Sequence, residues 1–124
     1  MLRRLVVAIA TCAMLAAAAP ASAQKAGPNG GLVMGKGSHQ TELLVSPTEL
    51  TVYLLEDGKP HESAGASMRA VIQEAGKTTT IAFADQDGKR LVAKLAQPLG
   101  KGAIVVLTGK DHHGDQFSAR YVIN

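Results

Sequence analysis

The chain has 124 residues, with 13 Lys and Arg against 10 Asp and Glu, and 46% of it is hydrophobic. That length holds one domain, since domains run to about 100–200 residues. A single Cys excludes a disulfide framework, a cysteine-built zinc site and an iron–sulfur cluster.

The first stretch reads as an export signal. Met1-Leu2-Arg3-Arg4 is basic, Leu5 to Ala19 is apolar and uncharged, Pro20 breaks the run, and Ala21-Ser22-Ala23 supplies the small residues of a cleavage site. This is the three-part plan of a secretory signal peptide. The apolar run falls short of the roughly 20 residues that span a bilayer as a helix. The expected signal peptide is residues 1–23, cleaved before Gln24, and it directs the mature chain to the periplasm. Leu5-Val6-Val7 after the Arg pair does not fit twin-arginine export, and Thr11 before Cys12 does not fit a lipoprotein. Cleavage removes Arg3, Arg4 and Cys12. The remaining 101 residues carry 11 basic and 10 acidic side chains, so nothing in their charge draws them to nucleic acid or anionic lipid. The expectation is no nucleic-acid partner and no membrane span after cleavage.

Residues 24–30 form a short polar lead, expected to be mobile, and the folded domain is expected over 31–124. Short apolar stretches there alternate with turn residues. Candidate strands are 31–34, 39–45, 49–55, 67–73, 78–84, 90–96, 103–108 and 116–123. Turn signals separate them: Asp57-Gly58-Lys59-Pro60, Glu74-Ala75-Gly76-Lys77, Asp85-Gln86-Asp87-Gly88, the stretch 98–102, and 109–115. Asp-Gly supplies the positive backbone φ of tight hairpins. Alternation puts Leu50, Val52 and Leu54 on one face, as it does Leu91, Ala93 and Leu95, and Phe117, Ala119, Tyr121 and Ile123. Ala103 to Leu107 is apolar on both faces and is the best candidate for a central strand. No stretch keeps a helical period over ten residues. The expected fold is an all-β, antiparallel β-sandwich, Ig-like, of seven or eight short strands.

Few residues offer chemistry. There is no G-x-S-x-G elbow, no P-loop, no dinucleotide-binding glycine pattern and no H-E-x-x-H. The chain is expected not to be an enzyme. Four His remain as ligand candidates. Imidazole suits zinc, copper and nickel, and the thioethers of Met34 and Met68 would suit Cu(I), although both Met also fit as core filling. The run Asp111-His112-His113-Gly114-Asp115 offers two imidazoles and one or two carboxylates. Adjacent residues of a strand point to opposite faces, so both His reach one ion only if the loop bends; a solvated polar loop is the alternative. His39 and Glu42 lie three apart, which in a strand puts them on opposite sides. His61 has no partner legible in sequence and is read as surface.

Three stretches carry a family resemblance: Gly27-Pro28-Asn29-Gly30-Gly31, His39-Gln40-Thr41-Glu42-Leu43-Leu44-Val45, and Leu50 through Pro60. Gly88-Lys89-Arg90-Leu91 and Phe117-Ser118-Ala119-Arg120 also fit. Together they resemble a small periplasmic β-domain that occurs alone and at the N-terminal side of membrane-fusion adaptors of heavy-metal efflux systems. The likeness spans about residues 27–124. The family pattern reads P-H-G-G, an H-x-x-E strand, a V-Y-L strand and D-G-K-P. Asn29 stands where the family often has His, whereas His39 and Glu42 match H-x-x-E. The resemblance implies a non-catalytic periplasmic module tied to metal export or resistance. The chain lacks the hairpin and lipoyl-like regions of a full adaptor.

The expected function is therefore an exported accessory protein linked to heavy-metal handling, with His39, Glu42, His112 and His113 as candidate metal ligands. A divalent metal or copper is the cofactor class these side chains suit. An envelope protein or efflux component is the partner class. The alternative is a metal-free structural or protein-interaction β-sandwich that presents a sheet edge.

Overall fold

A computed structural model describes residues 25–124; the expected signal peptide at 1–23 lies outside the described residues. These residues form only strands and turns: β1 (Lys25–Ala26), β2 (Leu32–Lys36), β3 (His39–Val45), β4 (Glu49–Glu56), β5 (Lys59–His61), β6 (Ser67–Glu74), β7 (Lys77–Ala82), β8 (Ala84–Gln86), β9 (Arg90–Lys94), β10 (Ile104–Lys110) and β11 (Gln116–Val122). The hairpins turn where the turn chemistry lies. Asp57 and Gly58 both take positive φ (49° and 79°), and Ala75 and Gly76 do the same (50° and 76°). This is the two-residue turn whose twist matches that of paired strands. At Ser46 the side-chain oxygen accepts from the Glu49 N–H at 3.0 Å and closes the turn between β3 and β4.

All pairings are antiparallel, and the strands form two sheets. One has seven strands, in the order β1-β2-β3-β4-β9-β8, with β5 also on β4; the other runs β11-β10-β6-β7. The fold is a β-sandwich, as expected. Its β10 is an interior strand flanked by β6 and β11, with Val105 and Leu107 buried on its inner face and the alternate residues half-buried. Three short strands have no counterpart in the sequence reading. Segments of two or three residues, as in β1, β5 and β8, are too short to carry a period-two signal. Pro60 further disguises β5, since proline is confined to sheet edges. Two residues of the expected lead, Lys25 and Ala26, pair with Val33 and Leu32.

The core lies between the sheets. Leu43, Leu50, Val52, Leu54 and Leu91 from the larger sheet meet Met68, Ile72, Val105, Leu107, Phe117 and Tyr121 from the smaller one, all within 6% of complete burial. Each large apolar side chain removed from water contributes roughly 1.5–3 kcal/mol. Met68 fills core space and Met34 packs against it.

One polar link crosses the core. The Tyr121 hydroxyl donates to the Thr41 carbonyl at 2.7 Å and accepts from Thr41 Oγ1 at 2.8 Å, with both residues buried. Burial pushes the phenol up to about 12, with a further upward push from the charge of Glu42 and opposing pulls from its bonds to Thr41 and to the Met34 backbone. The unfolded phenol loses its proton first, near its ordinary value of 10.0. This group's stabilisation is thus complete below that pH and is lost as pH rises toward 12. Tyr121→Phe is expected to cost about 1–2 kcal/mol in urea denaturation at neutral pH, because two Thr41 oxygens lose a buried partner. The variant should also lose part of the fall in stability above pH 10. An unchanged alkaline profile would show that the phenol is not its source.

Candidate metal centre

The β10–β11 loop does what the sequence left conditional: it bends. Lys110 pairs with Gln116, so residues 111–115 must reverse the chain. The Asp111 N–H donates to the Asp115 carbonyl at 2.9 Å, and the Gly114 N–H donates to the Asp111 carbonyl at 3.0 Å. Asp111 Oδ1 accepts from the His113 and Asp115 N–H groups, both at 2.9 Å. An aspartate that bonds to the backbone just ahead of it imposes a turn. Gly114 completes this one at φ 81°. As a result the rings of His112 and His113 lie with centroids 3.8 Å apart, on one side of the loop.

A third imidazole comes from the other sheet. The Asp57-Gly58 turn sends β5 back along β4, so that His61 pairs with Leu54. Its ring stacks on His112 at 5.6 Å and 17° and lies 6.4 Å from that of His113. One ring nitrogen from each of His61, His112 and His113 falls within 4.8 Å of the other two. The chain then crosses between the sheets through residues 62–66. Ser63 anchors this crossing: its N–H donates to the Gly88 carbonyl at 2.9 Å, and its hydroxyl donates to Asp85. Gly65, at φ 74°, passes so close that a Cβ there would lie 3.1 Å from the His112 Cβ.

Two carboxylates flank His61. Glu56 Oε2 lies 3.4 Å from His61 Nδ1, and Asp111 Oδ2 lies 4.0 Å from His61 Nε2. Glu56 is largely exposed, whereas the Asp111 side chain is only 5% exposed. Burial pushes the Asp111 carboxyl up, but the N–H groups of Asp115 and His113, with the charges of His113 and His112, overcome this and hold it below its ordinary value. Nδ1 of His61 thus faces one acid and Nε2 the other.

The other two sequence candidates lie elsewhere. His39 opens β3 and touches the same loop from the far side: its Nε2 is 3.7 Å from Asp115 Oδ2, and its ring packs 5.2 Å from that of Phe117. Glu42 faces the opposite side of β3 and is fully buried. Its carboxylate accepts from the Asn29 N–H at 2.9 Å, the Gly31 N–H at 2.8 Å and Asn29 Nδ2 at 2.9 Å. Gly27 and Gly31 let the turn close over it, since a Cβ on either would run into the Glu42 side chain. His39 and Glu42 therefore share no site. Glu42 holds the turn over residues 27–31, and Asn29 supplies a donor there. The residue that sequence reasoning missed is His61, placed beside the loop by a hairpin and the stacking of two sheets.

No protein-family model matches the chain, and neither does any curated protein. Among solved structures, the Br derivative of BhCBM56 is similar over 73% of this chain and 97% of its own, at 11% identity and a TM-score of 0.44. A likeness at that level carries no argument about what this chain binds. No helix among the described residues is long and apolar enough to cross a membrane.

Proposed function

We propose that this chain is a non-catalytic, exported accessory module of heavy-metal handling that binds a divalent transition metal at His61, His112 and His113. The observation that carries this reading is the convergence of three imidazoles from two different sheets, with ring nitrogens within 4.8 Å of one another. Imidazole is the ligand of choice for zinc, copper and nickel. His112 and His113 are exposed, so an ion has a path in and out, as an accessory carrier requires. The resemblance to the β-domain of efflux adaptors supports the role in metal handling and an envelope partner, and not the choice of these three ligands.

The test is a calorimetric titration of the mature chain, residues 24–124, with Zn(II), Cu(II), Ni(II) and Co(II). One saturable site per chain at micromolar affinity is expected, and it should vanish in the His112→Ala/His113→Ala double variant. Binding no tighter than about 0.1 mM, roughly 5.5 kcal/mol, for all four ions would overturn the reading. The chain would then be a metal-free interaction module of the envelope.

A further inference from the structure

Asp111 has two oxygens in different situations. Oδ1 is committed to two backbone N–H groups. Oδ2 points the other way, 4.0 Å from His61 Nε2. The side chain is 95% buried in an exposed loop, and a ring nitrogen of His61 lies within ion-pair distance of Oδ2. A carboxylate is seldom buried without a partner for its charge. Here the turn satisfies one oxygen and fixes the direction of the other.

We infer that Asp111 Oδ2 is the fourth donor of this site, making it a three-nitrogen, one-oxygen centre for a borderline divalent cation. The inference rests on the metal-binding reading of the three histidines. Donors on a tetrahedral zinc stand roughly 3.3 Å apart, given bonds of about 2.0 Å. The observed 4.0 Å between His61 and Asp111 and the 4.8 Å span of the imidazole nitrogens are both longer than that, and closing on an ion takes ring rotations. His112 and His113 are exposed and free to make them. Three neutral imidazoles and one carboxylate leave a bound M(II) with a single net charge. The set contains no sulfur, so it favours Zn(II), Cu(II), Ni(II) and Co(II) over Cu(I). It also joins the sheets: His61 belongs to the larger one, and the other three donors to the hairpin of the smaller one.

The test is Asp111→Asn in the mature chain. Asn keeps an oxygen to accept both backbone N–H groups, so the turn survives, but it puts an NH2 where Oδ2 was. Zn(II) affinity is expected to fall at least about tenfold, since even changes outside the coordination sphere of a metal commonly cost that much. The visible bands of the Co(II) form should change with it. Affinity and bands equal to those of the wild type would overturn the inference while leaving the three-histidine site intact. If neither form binds metal, the parent reading fails and this one with it. Should the variant fail to fold, the proton spectrum of the Co(II)-loaded wild type decides. Strongly hyperfine-shifted Asp111 β-protons are expected, and their absence would overturn the assignment.

Discussion

Replacing His61 with Ala is expected to lower Zn(II) affinity by about 100-fold or more and to remove the thermal stabilisation that metal gives the wild type. The reasoning follows from where the ligands come from. A metal that binds only the folded state adds about 2.7 kcal/mol when its free concentration is 100 times the dissociation constant. In a domain of about 100 residues each kcal/mol moves Tm by roughly 4–8 °C, so the wild type should gain on the order of 10–20 °C, less whatever the unfolded histidines bind. His61 is the one imidazole of the cluster on the larger sheet. Without it, the ion is left with two adjacent side chains of one exposed loop, which cannot tie the sheets together. In metal-free buffer the variant should stay within about 1 kcal/mol of the wild type, because His61 sits on a three-residue strand and is partly exposed. Differential scanning calorimetry with and without Zn(II) makes the comparison. A full metal-induced shift in the variant would place the site in the 111–115 loop alone.

Glu42→Ala is expected to do the reverse, with a cost of about 2–4 kcal/mol in stability and no change in metal affinity beyond about twofold. The carboxylate is 0% exposed and accepts from two backbone N–H groups and an Asn29 side-chain N–H. Hydrogen bonds to a charged group contribute about 1.5–3 kcal/mol, and a buried donor left unpaired costs a further 1–3. The turn over 27–31 and its attachment through β1 should loosen together, since Glu42 is what the turn closes on. Urea denaturation reads the first effect and metal calorimetry the second. A variant that keeps its stability but loses the metal would return Glu42 to the coordination sphere beside His39, as the H-x-x-E resemblance implies.

Fold and site were unequally legible. Eight strands could be read from alternation and turn residues, because a sandwich strand writes its buried face into every second position. Leu50, Val52 and Leu54 are all buried, and so are Phe117, Ala119 and Tyr121, as their spacing requires. The Asp57-Gly58 turn announces itself for a local reason too, since positive φ at both positions restricts which residues fit, whereas at Ala75-Gly76 only the Gly carries that signal. In the site, Asp111 to Asp115 was legible as a candidate loop. Whether its two histidines meet depended on the Asp111 side chain curling the backbone, which is also a local event. His61 was not legible. Its hairpin to β4 is short and contains Pro60, and nothing near it in the chain resembles a ligand.

By itself, then, the sequence determined the strand pattern, the turns, the sandwich class and the loop that carries two of the histidines. Each of these depends on residues close along the chain. Only the tertiary structure decided which further histidine lies beside that loop. His61 and His112 are 51 positions apart and meet because β5 lies on one sheet, the hairpin ends the other, and core burial stacks the two. Glu42 was withdrawn from His39 by the same geometry: successive side chains of β3 face opposite sides, and the outer side is covered by a turn that uses the carboxylate for its own N–H groups.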